Sequence, residues 1–467
     1  MYFIFVFFLQ LFIYISPFKL DEKKKEMLEK VIKTQMKLAK LHTVGIVITD
    51  NSTTLYQNVF SEDNKATNKT PFVLGSISKS ITALAILKLN ISLNKTLDQF
   101  ELDDYLDEKN LKDITVGELL NHTSGLDGFT RKRIKPRGNY SYSNYGFGLL
   151  GKIIEHESHK NYSQYVKEEI FDPLHMINTR AIYDESIIDS YNNFFGVRCK
   201  YNNLEYEITQ KEGFYIPSGY ISSSVEDMGN YLRFYLDKNN TEYVSRITGT
   251  NFVLENNKYY GMAMTITNRS DYIIYKHGGS VVSFLSDLII YPDLDLGFFI
   301  TTNTNDNLCP QPANQFFVSI HSFLIYDVFN KVDSSLFFYV HFTLDIVSLF
   351  VISFPVTYLV MTLFIIIKKI NFWFIDIKGK ILFGIDILVF SILPIIIYIY
   401  CFGIDGMGDV AIHYSNDLFF TVVTCCVAMW LIFIIKIVYL FSYKKFNMEN
   451  NEKRYENLVP INLNSND

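Results

Sequence analysis

Phe72-Val73-Leu74-Gly75-Ser76-Ile77-Ser78-Lys79 is the stretch on which the reading of this chain turns. The residues that follow, Ser80 to Leu89, are apolar nearly all round. A helix without a polar face is one buried inside a large domain. Ser76 stands at the mouth of this helix behind Gly75, and Lys79 follows one turn later on the same face. Burial disfavours the ammonium form, so it lowers the pKa of Lys79 and makes the amine a base. A serine hydroxyl becomes a nucleophile when such a base takes its proton. The positive end of the helix lies close to the charge that then develops. The S-x-x-K spacing recurs at Ser16/Lys19, Ser92/Lys95 and Ser442/Lys445, but only the Ser76 copy combines a preceding glycine with an all-apolar helix.

Two clusters downstream carry further chemistry. Tyr140-Ser141-Tyr142-Ser143-Asn144-Tyr145-Gly146 precedes an apolar helix start at residues 147–154. A tyrosine shuttles a proton when nearby cations depress its pKa. Asn144, two residues on, is spaced to hold Lys79 or a substrate carbonyl. Lys276-His277-Gly278-Gly279-Ser280 directly follows an expected strand at residues 271–275. Two glycines at a strand end let a backbone or ligand approach closely. An exposed N–H there and the Ser76 N–H would make the two halves of an oxyanion hole.

The surrounding elements order themselves into an α+β domain over residues 20–335. Residues 21–41 place Met27, Leu28, Val31, Ile32, Gln35 and Met36 at helical spacing. Residues 43–49 and 53–60 are β-rich and are parted by the hairpin signal Asp50-Asn51-Ser52. A helical, loop-rich middle runs to residue 236. Strands are expected at residues 258–266, 271–275, 284–291 and 297–302, and a helix at 314–329. The antiparallel sheet is thus expected to be assembled from both ends of the domain.

Taken in order, serine-lysine, tyrosine-asparagine and His-Gly-Gly resemble the motif set of the serine β-lactamase and penicillin-binding protein superfamily. The branch most resembled is that of class C β-lactamases and their esterase and D-aminopeptidase relatives, whose second motif is Y-x-N. Thr115–Leu126, with Leu119-Leu120-Asn121-His122-Thr123-Ser124-Gly125-Leu126, resembles the family's LLxHTSGL segment. Ser218–Met228 resembles its later glycine-serine segment, and Tyr260-Gly261-Met262-Ala263-Met264 its YGxGW strand. The resemblance covers about residues 25–330. It implies a β-lactamase/transpeptidase-like fold, an antiparallel sheet flanked by helices with a helical insert. It implies Ser76 as the acylated nucleophile, Lys79 and Tyr142 as the general base pair, and Asn144 as the group that positions lysine or substrate. His277 would stand where the family's K-T-G has its lysine, with Gly279 and Ser280 following on the oxyanion strand. His122 would be a fold element. Histidine in place of lysine holds a substrate carboxylate less firmly, which suits ester or peptide substrates better than β-lactams.

The remainder of the chain reads as membrane. Residues 346–367, 381–403 and 418–441 are apolar runs, each meeting the ~20 residues needed to cross a bilayer core. The first loop between them holds Lys368, Lys369, Lys378 and Lys380, and the tail from residue 444 begins with Lys444 and Lys445. The second loop holds Asp405, Asp409 and Asp417 without lysine or arginine. Basic loops stay in the cytoplasm, so the polar tail 444–467 lies inside and the large N-terminal domain outside. Asp345 and Asp386 at the span edges are expected to be structural. Residues 1–19 are expected to be a signal peptide or an N-terminal anchor. Asn51, Asn68, Asn94, Asn161 and Asn268 match the N-x-S/T pattern, and Cys199 and Cys309 could pair in an oxidising space, with two buried free thiols as the alternative.

The full chain of 467 residues has 49% hydrophobic and 20% charged residues and a formal net charge of −6, which exclude a disordered or coiled-coil protein. Basic residues are not massed on a folded segment, so nucleic acid is not an expected partner. His156-Glu157-Ser158-His159 is one residue short of H-E-x-x-H, and neither a Walker A loop nor G-x-S-x-G occurs. No cofactor or metal is expected. The sequence therefore points to a multi-pass membrane-anchored serine hydrolase acting on a small-molecule or peptide substrate. The alternative is a non-catalytic ligand-binding sensor on the same domain. The intact nucleophile and its base favour catalysis, because a binder need not keep them.

Overall fold

A strand buried on both faces needs a layer above it and a layer below it, and the sequence supplies both. In the computed structural model, β1 (Thr43–Thr49) is buried along its whole length. β2 (Thr54–Ser61) returns beside it after the Asp50 turn. The other strands are β3 (Phe72–Val73), β4 (Gly196–Lys200), β5 (Asn203–Glu207), β6 (Ser222–Ser223), β7 (Phe252–Glu255), β8 (Lys258–Tyr260), β9 (Thr265–Asn268), β10 (Ile273–Val281), β11 (Phe284–Tyr291) and β12 (Leu296–Thr302). Eight of them form one antiparallel sheet in the order β2-β1-β12-β11-β10-β9-β8-β7. The N-terminal hairpin therefore docks on the last strand, with Ile46 opposite Ile300 and Ile48 opposite Phe298. The structure describes residues 18–106, 111–181, 196–200, 203–207, 213–249, 252–281, 284–305, 311–368, 377–402 and 416–456. The expected segment at 1–19 lies almost wholly outside them, as does Cys309.

Period-two alternation distributes the strand side chains between two cores. Ile46, Ile48, Ile289, Phe298 and Ile300 join a cluster with Leu28 and Ile32 of the Glu22–Ala39 helix and Phe316 and Ile320 of the Gln311–Tyr326 helix. Val47, Leu288, Ile290 and Phe299 point the other way, into a core shared with Ile81 and Leu84 of the Ser78–Lys88 helix. That helix is buried from Ser78 to Leu87, as its apolar circumference requires. Gly45 is the concession that lets another helix close on β1. A Cβ there would come within 2.7 Å of Val225.

Three local expectations are corrected. Residues 258–266 are not one strand but the hairpin β8–β9, closed where Gly261 N–H donates to the Met264 carbonyl at 2.8 Å. The strand expected at 271–275 runs on to Val281, so His277 to Ser280 lie within β10 rather than after it. β7 was not expected at all.

The chain divides into two units, residues up to 199 with 204–337, and residues 200–203 with 338–467. In the second unit the helices Ser335–Ile367, Ile377–Phe402 and Asn416–Glu456 each hold a stretch long and apolar enough to cross a membrane. The last helix continues past residue 444, so part of the expected tail is helical. Tyr358, Asp386 and Lys436, one from each helix, meet. Lys436 Nζ lies 2.6 Å from Asp386 Oδ2 and 2.8 Å from Tyr358 Oη. Asp386 is thus partnered within this unit. The side chain of Asp345 lies outside the description.

Candidate active site

The site begins at a glycine. Gly75 has φ +56°, in the left-handed region, and a Cβ on it would lie 2.5 Å from Ser280 N. Only glycine lets the turn before the helix touch β10. Ser76 follows in a short 3₁₀ turn, Gly75–Ile77, and the regular helix starts at Ser78. Ser76 is therefore placed one turn ahead of the α-helix rather than as its first residue. The close approach continues at Gly279, whose added Cβ would lie 2.0 Å from the Leu74 carbonyl oxygen. Ser286 Oγ donates to that same carbonyl at 2.7 Å and pins the strand to the turn. Asn305 Nδ2 donates to Ser280 Oγ at 3.0 Å and to the Val281 carbonyl at 2.7 Å, holding the next step of β10.

Lys79 is fully buried. Its Nζ contacts Ser76 Oγ at 3.1 Å, Asn144 Oδ1 at 2.6 Å and the Ser218 carbonyl at 2.6 Å. Burial pushes its pKa well below the ordinary lysine value. The partner set agrees with a neutral amine. Asn144 Oδ1 and Ser218 O can only accept, and a neutral amine has two N–H bonds for them. Of the three partners, only the Ser76 hydroxyl carries a transferable proton.

Tyr142 also reaches the Ser76 hydroxyl, and its ring centroid lies 4.8 Å from Lys79 Nζ. Burial raises the phenol's pKa, and the contact with Ser76 offsets this only in part. A phenol activated by cations is thus not what forms. Tyr142 is a neutral O–H, because burial disfavours the phenolate. Asn144 is the first residue of the Asn144–Ser158 helix, capped by the Ser143 hydroxyl, which accepts from Gly146 N–H at 2.9 Å.

His277 is buried at 6% exposure. Its Nδ1–H donates to the Gly278 carbonyl at 2.7 Å, and Nε2 accepts from the Tyr260 hydroxyl at 3.3 Å. Burial lowers its pKa to about 4. The imidazole is neutral and occupied on both sides. The structure therefore brings Lys79 to the Ser76 hydroxyl, Tyr142 and Asn144 to Lys79, and Gly279 and Ser280 against the Gly75 turn, while His277 is held by Tyr260 and the Gly278 carbonyl. Two contributors escaped the sequence reading. The Ser218 carbonyl and the Tyr260 hydroxyl lie in segments already noted for family likeness, but periodicity cannot say where a carbonyl points.

A family model described as Beta-lactamase matches residues 28–316. The chain belongs to the beta-lactamase family. "Protein flp" of Staphylococcus aureus (strain N315) is 24% identical over 344 residues, covering 63% of this chain and 66% of the relative. "Beta-lactamase-like protein 4" of Dictyostelium discoideum is 26% identical over 292 residues, half of each chain. The beta-lactamase-family chain thus spans just under two thirds of the first of these relatives. The octameric penicillin-binding protein homologue from Pyrococcus abyssi shares the fold, with a TM-score of 0.55 at 22% identity, over 64% of this chain and 77% of that one. The α+β expectation and the family resemblance agree with these findings.

Proposed function

We propose that this beta-lactamase-family domain is a serine hydrolase that transfers an acyl group through Ser76. One observation carries the reading: a fully buried Lys79 whose Nζ lies 3.1 Å from the Ser76 hydroxyl, with Asn144 Oδ1 and the Ser218 carbonyl as its other partners. In the first step Ser76 Oγ bonds to the substrate carbonyl carbon while its proton passes to Lys79 Nζ. The negative charge then resides on the carbonyl oxygen, where the N–H groups of Ser76 and Ser280 would receive it. The leaving group departs with a proton from Tyr142, which Lys79 restores. Water attacks the acyl-Ser76 ester, releases the acid and regenerates the hydroxyl.

The substrate class follows from charge. His277 stands where the family lysine would be, and it is buried and neutral. It offers no cation to a carboxylate. Esters or peptides without a free carboxylate beside the scissile bond are the expected substrates. The three apolar helices anchor the chain in a membrane, with the hydrolase outside the cytoplasm and the tail inside, on the lysine distribution of the loops.

Labelling with a fluorophosphonate, and turnover of a panel of neutral esters and D-amino-acid peptides, tests the chemistry on the full chain. Wild type should label and turn over an ester, and Ser76→Ala should do neither. Equal behaviour of the two would reject the hydrolase. For orientation, cysteines introduced at Glu449 and at Lys33 should react with a membrane-impermeant thiol reagent on opposite sides.

A further inference from the structure

His122 belongs to none of the steps above, yet its surroundings are built with care. It is fully buried and adopts φ +58°, a backbone region uncommon for any residue but glycine. Its backbone carbonyl accepts from Ser141 N–H at 2.8 Å. Its ring Nδ1 accepts from Ser143 N–H at 3.1 Å. The residue between those two amides is Tyr142. The same ring lies 4.2 Å, centroid to centroid, from Tyr142, and 5.2 Å from both Phe147 and Tyr260. Tyr260 is in turn the hydroxyl that holds His277.

We infer that His122 is the positioning residue of the site, clamping the backbone on both sides of Tyr142 so that the phenol and Asn144 meet Ser76 and Lys79. The left-handed backbone is what makes the double grip possible, since it turns the carbonyl and the ring of one residue toward amides two positions apart. The grip needs a neutral imidazole, because a proton on Nδ1 would remove the acceptor and leave Ser143 N–H buried without a partner. Burial holds the ring well below its ordinary pKa and keeps that lone pair free. The proton of the neutral ring then sits on Nε2, which has no hydrogen-bond partner among the described residues. A buried polar atom left unpaired costs stability. It is tolerated here because the other nitrogen is needed as an acceptor. This inference rests on the hydrolase reading for its kinetic consequence but not for its geometry.

The test compares two substitutions in the full-length chain in detergent. His122→Phe keeps a flat ring in the aromatic cluster and deletes the acceptor. His122→Asn keeps an acceptor oxygen near the place of Nδ1 and suits the left-handed backbone. On a neutral ester, His122→Phe should lower kcat about tenfold with KM little changed, the equivalent of about 1.4 kcal/mol at the transition state. His122→Asn should recover kcat to within about threefold of wild type. Amide hydrogen exchange over residues 139–145 should quicken in the Phe variant and stay slow in the Asn variant. Should the Phe variant melt before assay, His122→Gly replaces it, because it accepts the same backbone and also lacks the acceptor. The inference is overturned if the acceptor-free variant keeps wild-type kcat, or if the Asn variant is as impaired as the acceptor-free one. A wild type no faster than Ser76→Ala would instead reject the hydrolase, and the exchange comparison alone would then decide whether His122 clamps the segment.

Discussion

At the scale of the residue, the proposed acyl transfer depends on Lys79 being an amine rather than a cation. Complete burial achieves this. An arginine cannot give up its proton in a protein. Lys79→Arg should therefore lose on the order of 10²–10⁴ in kcat, the range general-base catalysis supplies, while still folding well enough to bind. Stopped-flow acylation kinetics would check this, and a variant within tenfold of wild type would contradict it. The pH profile follows from the same amine. Its basic form is the active one, so kcat/KM should rise with pH and level off well below the ordinary lysine range, because burial depresses the pKa. The S-x-x-K spacing announced the pair. The neutrality was an inference from the apolar helix, and Tyr142 shows its limit, since burial raises the phenol's pKa where cations would have depressed it.

At the scale of the element, β10 and the Gly75 turn behave as one object. Gly279→Ala would drive a Cβ into the Leu74 carbonyl and Ser286 Oγ. Overpacking of this kind costs about 1–3 kcal/mol. The variant should melt earlier and acylate more slowly, because the strand that carries Ser280 must back away from Ser76. Thermal denaturation alongside probe labelling would show both losses. Buried histidines make the domain sensitive to acid. Burial holds His277 and His321 at about 4 in the folded state. Between about 6.5 and 4 the unfolded chain therefore binds more protons, and stability that is complete above 6.5 is lost as pH falls. Asp287, raised to about 6 by burial against the pull of Lys276, acts in the opposite sense, taking up its proton first in the folded state. Two imidazoles outweigh one carboxyl, and His122 adds to their side. The melting temperature should fall between pH 7 and pH 5, and a flat or rising curve would refute this balance. The helix at Glu22–Ala39 and the hairpin at Asp50 were legible because period and turn chemistry agree there. The β8–β9 hairpin was not. Its turn is Gly261-Met262-Ala263-Met264, with Ala263 at φ +55°, and no proline or asparagine announces it.

At the scale of the whole molecule, a hydrolase-family domain and a three-helix apolar unit share one chain. The second unit holds its own ionic contact, Lys436 to Asp386, with Tyr358 beside it. Breaking a buried pair from one side costs about 3–5 kcal/mol, whereas replacing both partners by apolar groups is often neutral. Asp386→Leu should therefore destabilise the full chain in detergent, and Asp386→Leu with Lys436→Met should recover most of the loss. Equal stability of the single and double variants would remove the ion pair from the account. What the sequence by itself determined was set by local rules. The apolar helix behind Ser76, the alternating strands and the three long apolar runs each follow from side-chain period and length alone. Only the tertiary structure decided which carbonyl meets Lys79, that the glycines of β10 serve a turn two hundred residues away, and that His277 and Tyr142 are uncharged. Those are properties of what surrounds a group once distant segments have closed over it. Dielectric environment and backbone direction do not exist until the chain has folded.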